Sequence, residues 1–204
     1  MTKVCILNYG SGNVKSVLNL FESINVPVSI SNDKKEIERS SHLVLPGVGA
    51  FKAAMENIKK WIPLEAVEKE VFEKKKPFLG ICVGMQVMAS NSLEFGNHLG
   101  LNWIPGTVCK LATESLPLPH IGWNNLSSRK KSGILDGIDE ELDFYFVHSF
   151  KYELRNKDFL LATTEYEENF PSVINKENLY GVQFHPEKSQ IAGKKLAMNF
   201  LKIR

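Results

Sequence analysis

A short apolar run that ends in a cysteine between two glycines constrains the fold of this chain more than any other feature. Residues 77–86 read PFLGICVGMQ, in which the residues after the proline are typical of a strand buried on both faces. The run ends at Cys82, and Gly80 and Gly84 lie two residues to either side of it. Apolar residues at positions 85 and 87–89 then favour a helix with one face turned inward. The stretch therefore predicts a strand, a sharp turn and a helix, with Cys82 in the turn.

The predicted turn suits a cysteine nucleophile. In hydrolases the same spacing of glycine, nucleophile and glycine lifts a side chain out of a strained turn, where a Cβ on either glycine would collide with neighbouring backbone. The positive end of the following helix would favour the thiolate of Cys82 over the thiol. The five residues alone are also compatible with a buried structural cysteine, so the interpretation depends on the rest of the chain.

The first half of the chain alternates strand and helix patterns, which indicates parallel strands covered on both faces. We predict strands at residues 3–8, 27–30, 42–45 and 77–81. We predict helices at residues 14–21, in a short polar segment that Asn32 or Asp33 can cap, at residues 50–58 and from Pro63 onward.

The second half changes character. Short alternating runs at residues 107–111, 144–147 and 159–164 are separated by turn signals and predict antiparallel additions. One more strand at residues 178–184 and an amphipathic helix at residues 189–203 close the chain. We therefore expect an α/β fold, a three-layer sandwich with a mostly parallel central sheet plus antiparallel additions. With 204 residues and no repeat or linker, we expect a single domain at residues 1–204.

Composition argues against several classes of partner. The formal net charge is +2 and 24% of the residues are charged, so no broad basic surface indicates nucleic acid or an anionic membrane. No stretch reaches the apolar length of a membrane span, and the N-terminus enters a strand pattern without a cleavable leader, so we expect a cytoplasmic protein. Cys5, Cys82 and Cys109 are far apart and lack partners at metal-ligand spacing. We expect free thiols, no metal and no cofactor.

A cysteine nucleophile needs a base, and His185 stands out among the five histidines. It follows the last predicted strand and precedes Pro186 and Glu187. The proline forces an extended backbone, in which residues two apart project to the same side, so Glu187 can lie beside the imidazole ring. A carboxylate there would orient the ring and stabilise its protonated form. The alternative is a solvated histidine at a strand end, with Glu187 at a helix start.

An acyl-transfer site also needs hydrogen-bond donors that face the developing oxyanion. Residues 46–49 read PGVG and follow a predicted strand, so the N–H groups of Val48 and Gly49 can turn inward at the carboxyl edge of the sheet. The N–H of Val83, directly after the nucleophile, is the second predicted donor. Alone, a segment rich in proline and glycine is also typical of a plain turn.

Two longer motifs carry a resemblance to a known family. The sequences GICVGMQ at residues 80–86 and GVQFHPE at residues 181–187 resemble the class I, or triad, glutamine amidotransferases. Within that class, four segments resemble the glutaminase subunit of imidazole glycerol phosphate synthase: NYGSGN, PGVGAF, HIGWN and YFVHS at residues 8–13, 46–51, 120–124 and 145–149. The matching segments span nearly the whole chain.

The resemblance implies a reaction and the residues that perform it. Cys82 would attack the amide of glutamine and form a thioester, His185 would transfer the proton, and Glu187 would orient His185. The residues implied to hold the glutamine are Gly47, Gln86, Glu94, His148 and Ser149.

The resemblance also implies a partner. Ammonia would pass to a (β/α)8-barrel synthase subunit, and the heterodimer would make imidazole glycerol phosphate and an aminoimidazole carboxamide ribotide in histidine biosynthesis. Asn13, Tyr145 and Lys188 match positions that face that subunit. The family commonly has Leu at the position of Val83 and Asp at that of Asn8, so Asn8 changes the charge of a turn expected at the interface.

Three alternatives remain open. Relatives of this family deliver ammonia to barrel partners that amidate sugars for surface polysaccharides. A catalytically silent subunit would dock on a barrel without hydrolysing glutamine, which the intact Cys82, His185 and Glu187 disfavour. A stand-alone cysteine hydrolase of the γ-glutamyl hydrolase or intracellular-protease type is disfavoured by the Trp123-Asn124 segment and by Asn13 and Lys188, which are expected to face the partner.

Overall fold

The computed structural model describes residues 2–204, so only Met1 of the predicted domain at residues 1–204 lies outside the described residues. Its helices are α1 (Val14–Glu22), α2 (Lys34–Arg39), α3 (Phe51–Trp61), α4 (Leu64–Glu68), α5 (Val83–Gln86) and α6 (Gln190–Phe200). Its strands are β1 (Val4–Ile6), β2 (Val28–Ile30), β3 (His42–Leu45), β4 (Phe78–Ile81), β5 (Asn91–Ser92), β6 (His98–Leu99), β7 (Gly106–Lys110), β8 (His120–Asn124), β9 (Ser127–Ser128), β10 (Phe144–His148), β11 (Phe150–Leu154), β12 (Leu160–Tyr166), β13 (Glu168–Lys176) and β14 (Leu179–Val182).

The main sheet joins strands from both halves of the chain, in the order β2-β1-β3-β4-β14-β13-β12-β9. The strands from β2 to β14 in this order are parallel neighbours, and β13, β12 and β9 add to them antiparallel. β8 pairs with β10 in a second sheet, and β11, β7, β5 and β6 form a third. The predicted α/β fold, with a mostly parallel sheet and antiparallel additions, is confirmed.

The order of the parallel strands places helices on both faces of the sheet. The chain steps from β1 to β2 in one direction and then returns past β1 to β3 and β4. Because parallel crossovers are right-handed, α1 covers one face and the helices between β2 and β4 cover the other. Helix contacts agree, since α6 packs against α1 while α2 packs against α4. The strands β1, β3, β4 and β14 are buried along their whole length, as their apolar runs predict.

Local signals set the start of α2, whereas the helix predicted at residues 50–58, the helix after Cys82 and the closing helix end at other residues than predicted. Of the two predicted caps for α2, Asp33 is the one used, and its carboxylate accepts from the second and third N–H groups of the helix. The helix after Cys82 ends at Gln86 because the carbonyl groups of residues 87–89 accept hydrogen bonds from residues 101–104 instead of continuing it. The closing helix ends at Phe200 rather than at residue 203. Within residues 2–204 there is no helix with the length and apolar character needed to cross a membrane.

Three neighbouring parallel strands deliver the segments that the sequence singled out. β3, β4 and β14 lie side by side in the main sheet and point the same way. Residues 46–49, Cys82 and His185 follow the carboxyl ends of these three strands. The topology therefore brings them to one edge of the sheet, where open α/β sheets place their ligands.

Candidate active site

The turn after β4 holds Cys82 in a backbone conformation that is rare for a residue with a side chain, with φ at +54° and ψ at −112°. Gly80 and Gly84 make this turn sterically possible. A Cβ on Gly80 would lie 2.5 Å from the carbonyl oxygen of Gly84, and a Cβ on Gly84 would overlap the carbonyl oxygen of Leu45. The strand, the sharp turn and the helix predicted around Cys82 are present, and the helix is shorter than predicted.

His185 lies beside Cys82 because β14 and β4 are parallel neighbours. The pairing of Val182 with Ile81 continues as a hydrogen bond of 2.8 Å from the Cys82 N–H to the Val182 carbonyl oxygen. Three residues later the His185 side chain is fully buried, and its Nδ1 lies 2.8 Å from Oε1 of Glu187. A cysteine, an imidazole and a carboxylate thus stand in the order of a catalytic triad.

The charge state of His185 follows from its two neighbours. Burial lowers the pKa of the imidazole, but the neighbouring Cys82 and Glu187, which both favour its protonated form, outweigh burial and raise the pKa to about 10. The ring is therefore protonated at neutral pH. A protonated imidazole next to a nucleophile is the general acid that a departing amine requires.

Cys82 and His185 line a cavity of about 320 Å³. The remaining lining residues are Val48, Gly49, Val83, Gln86, Glu94, Phe95, Pro119, Val147, His148, Ser149 and Phe150. Most of the residues predicted for the oxyanion and glutamine sites are in this set. Gly47 is not among them, because it packs against the nucleophile turn, where a Cβ would lie 2.5 Å from the backbone nitrogen of Gly84.

Hydrogen bonds to other parts of the chain hold two polar side chains of the cavity, those of Gln86 and Glu94, in place. Gln86 donates from Nε2 to the carbonyl oxygen of Phe150 and to Oε1 of Gln183, both at 3.0 Å. Glu94 accepts the N–H of Phe51 on Oε2 at 2.7 Å, which caps the start of α3 from a distant segment. Glu94 is also the one acidic side chain among the described lining residues. The cavity therefore carries one fixed negative charge, with a fixed amide nearby.

Two further imidazoles, those of His148 and His120, are hydrogen-bonded to each other at the cavity wall. His148 uses Nδ1 to donate to the Phe150 carbonyl oxygen at 2.9 Å, so its Nε2 is free to accept from His120 Nδ1 at 3.2 Å. His120 is stacked between Phe146 and Tyr166, with ring centroids 5.0 and 4.1 Å away. Burial lowers the pKa of His148 to about 3 and that of His120 to about 4. Both rings are neutral at physiological pH.

The predicted oxyanion donors flank the cavity. Gly49 has φ at +94°, a conformation that glycine adopts without strain, and Val48 precedes it on the exposed turn. Val83 is the first residue of α5, a position whose N–H has no acceptor within the helix. These donors lie on two different segments, so their separation depends on the conformation of the turn at residues 46–49.

The predicted partner-facing residues separate into two environments. Tyr145 and Lys188 lie together at the surface, with Lys188 Nζ 5.2 Å from the Tyr145 ring centroid. Trp123 is 48% exposed and contacts the same ring edge-on, at 5.8 Å between centroids. Asn13, by contrast, is buried, and its amide Nδ2 donates to Oε1 of Glu187 at 2.9 Å. Its side chain points to the triad and not to the solvent.

Sequence reasoning missed several residues of the site. Phe95 and Pro119 line the cavity, and no pattern in their segments indicated this. Gln183 donates to Sγ of Cys82 at 3.7 Å. A signal existed for Gln183, because residues two apart in an extended segment share a side, which places it with His185.

Comparison with known proteins identifies the family of the chain. The family model Glutamine amidotransferase class-I matches residues 5–203. The imidazole glycerol phosphate synthase subunit HisH of Aquifex aeolicus is 43% identical over 199 residues, covering 97% of this chain and 95% of that protein. Subunit HisH 1 of Campylobacter jejuni strain RM1221 is 40% identical over 201 residues, covering 98% and 100%. Subunit HisH 2 of Methanococcus maripaludis is 41% identical over 200 residues, covering 98% of each.

Solved structures share the fold at lower sequence identity. A chain of the PurLQS structure from Thermotoga maritima superposes with a TM-score of 0.77 at 15% identity and 98% coverage of both chains. A crystal structure of a glutamine amidotransferase superposes with a TM-score of 0.76 at 16% identity. The full-length family match and the relatives near 40% identity place the chain: it belongs to the class-I glutamine amidotransferase family.

Proposed function

We propose that this chain hydrolyses glutamine to glutamate and ammonia, and passes the ammonia to a (β/α)8-barrel synthase subunit that makes imidazole glycerol phosphate. The observation that carries the proposal is the buried arrangement of Cys82, His185 and Glu187, with Cys82 and His185 lining a cavity. The relatives named HisH, with which the chain shares 40–43% identity along nearly its whole length, support the choice of synthase.

The chemistry follows the geometry of the triad. Sγ of Cys82, whose proton has passed to His185, attacks the side-chain amide carbon of glutamine and forms a C–S bond, while the carbonyl oxygen takes up negative charge. Protonated His185 gives its proton to the amide nitrogen, the C–N bond breaks, and ammonia leaves a thioester behind. Neutral His185 then takes a proton from water as the water attacks, the C–S bond breaks, and glutamate is released. Glu187 holds the imidazole in the required orientation through both steps.

The cavity fits an amino acid. Its volume of about 320 Å³ lies near the lower end of the range for ligand pockets, which begins at about 300 Å³. Glu94 supplies the negative charge that pairs with the α-ammonium group of glutamine, and Gln86, His148 and Ser149 supply polar contacts. Gly47 acts indirectly, because it lets the turn at residues 46–49 lie against the nucleophile turn.

The oxyanion donors explain why hydrolysis would depend on a partner. The N–H groups of Val83 and of Val48 or Gly49 must converge on one oxygen atom to stabilise the intermediate. Val83 is fixed in α5, whereas the turn at residues 46–49 contains a glycine at positive φ and is partly exposed. We expect low glutaminase activity in the isolated chain and a rise when a substrate-loaded partner reorients this turn.

The proposed docking surface contains Tyr145, Lys188 and the exposed Trp123. Asn8 belongs to the neighbouring turn, where its Oδ1 accepts the Gly10 N–H at 2.9 Å. Aspartate would supply the same acceptor, so Asn8 preserves the turn and changes only its charge.

We further propose that residues 1–204 act as a single domain in the cytoplasm, without metal or cofactor. The main sheet, which contains strands from both halves of the chain, supports the single domain.

The test measures glutamate release from glutamine by the purified chain, first alone and then with a barrel synthase subunit and its ribulose-type nucleotide. We expect strong stimulation only in the full mixture. In the same mixture, Cys82→Ala abolishes product formation from glutamine and leaves product formation from added ammonia intact.

Each component of the proposal has its own opposing result. Hydrolysis that ignores this partner would direct the assignment to a sugar-amidating synthase. No hydrolysis under any condition would indicate a silent docking subunit. Loss of the ammonia-dependent reaction in Cys82→Ala would mean that Cys82 has a structural role.

A further inference from the structure

Asn13 lies directly before α1, where asparagine normally caps a helix. Such a cap accepts a hydrogen bond from the second or third N–H of the helix through the side-chain oxygen. Asn13 makes no such bond, and its residue is only 5% exposed. The side chain therefore serves some purpose other than helix capping.

The contacts of the amide are chemically specific. Nδ2 donates to Oε1 of Glu187 at 2.9 Å, and Oδ1 accepts from the hydroxyl group of Ser11 at 2.6 Å. A carboxylate only accepts hydrogen bonds, so the NH₂ end of the amide must face Glu187 and the oxygen must face Ser11. Aspartate has the same shape and could not donate to Glu187 when ionised.

Glu187 depends on this contact because it has few others. Its side chain is fully buried, and its Oε1 receives both the amide of Asn13 and Nδ1 of His185. Within the part of the chain that the structure describes, Oε2 has no hydrogen-bond partner. Without Asn13, the contact with His185 would be the one bond left to fix the rotation of the carboxylate.

We propose that Asn13 is a positioning residue for the triad, which fixes Glu187 in the orientation that Glu187 in turn imposes on His185. The inference rests on the proposed function, because it assumes that Glu187 orients the catalytic imidazole. It assigns to Asn13 an internal role in addition to the partner contact that the sequence suggested.

The test is the rate of alkylation of Cys82 by iodoacetamide in the isolated chain as a function of pH, which requires neither partner nor glutamine. All chains, including the reference, carry Cys109→Ser, because Cys109 is half-buried and would contribute a background rate. Cys82 borders the cavity of about 320 Å³, whereas Cys5 is 0% exposed in the core. Asn13→Ala and Asn13→Asp are compared with Asn19→Ala, an exposed asparagine on the same helix.

For Asn13→Ala we expect the midpoint of the alkylation profile to rise by about one pH unit, because a loosely held Glu187 stabilises the imidazolium less well. For Asn13→Asp we expect the rate of Cys82 alkylation to fall, relative to that of the chain with Cys109→Ser alone, as the pH rises. The introduced carboxyl donates in place of the amide when protonated and repels Glu187 when ionised. Asn19→Ala should follow the unsubstituted profile.

The inference is wrong if the alkylation profiles of both Asn13 variants superimpose on the profile of Asn19→Ala. Because aspartate keeps the shape of asparagine, Asn13→Asp decides the question even where Asn13→Ala fails to fold. The outcome is also separate from the fate of the proposed function. A chain that never releases glutamate from glutamine would refute the function, while the alkylation profiles would still report whether Asn13 acts on the triad.

Discussion

The backbone of Cys82 yields a prediction in which stability and activity oppose each other. With φ at +54° and ψ at −112°, the residue occupies a region where a Cβ is strained by about 1–3 kcal/mol. Cys82→Ala keeps the Cβ and hence the strain, whereas Cys82→Gly removes both. The two variants lose the same sulfur contacts, including that with Gln183, so their difference isolates the backbone.

At an ordinary position, alanine to glycine destabilises a protein by about 0.5–1 kcal/mol through backbone entropy. At position 82 the released strain exceeds this cost, so we expect Cys82→Gly to be more stable than Cys82→Ala by about 1 kcal/mol. For a chain of this length the difference corresponds to about 2–4 °C in melting temperature. Both variants should be inactive with glutamine.

Urea unfolding followed by circular dichroism measures the difference as a shift in midpoint at unchanged slope. Ala89→Gly provides the control, since Ala89 is buried and does not have a positive φ. We expect it to destabilise the chain by about 1 kcal/mol. If Cys82→Gly is less stable than Cys82→Ala, the nucleophile turn does not store strain and the reasoning is wrong.

Two further predictions concern pH and substrate binding. Folding lowers the pKa of His120 from 6.5 to about 4 and that of His148 from 6.5 to about 3. Below about pH 6.5 the unfolded chain therefore binds more protons than the folded chain, and stability falls as the pH is lowered. We expect each of the two histidines to lower the free energy of unfolding by about 2 kcal/mol at about pH 5. Thermal melts measure this loss, and it should be smaller in His120→Phe. The raised pKa of His185, about 10, has the opposite sign: its contribution is complete below about pH 6.5 and is lost as pH rises through 10. Stability that is flat from pH 5 to neutrality would contradict this account. Glu94→Gln keeps an acceptor for the N–H of Phe51 but removes the charge, so the KM for glutamine should rise roughly tenfold or more with kcat little changed. A fall in kcat at constant KM would instead place Glu94 in the chemistry.

The sequence anticipated the fold where apolar periodicity and turn residues act over short distances. The parallel strands, the antiparallel additions and the strained turn at Cys82 are present near their predicted positions. The helix after Cys82 was predicted too long, because its apolar residues pack into the core while their carbonyl groups bond to residues 101–104. The periodicity of apolar residues indicates which side chains are buried, but not which groups hydrogen-bond to the backbone carbonyl groups.

The features of the site also separate into those set by local sequence and those set by tertiary packing. The spacing of Gly80, Cys82 and Gly84, and that of His185 and Glu187, are fixed by backbone geometry over two residues, so the sequence by itself determined these pairs. The cavity walls, the stacked imidazole of His120 and the contact of Asn13 with Glu187 join segments far apart in the chain. Such contacts depend on how the strands and helices pack, and a local pattern holds no information on that packing, so only the tertiary structure decided them.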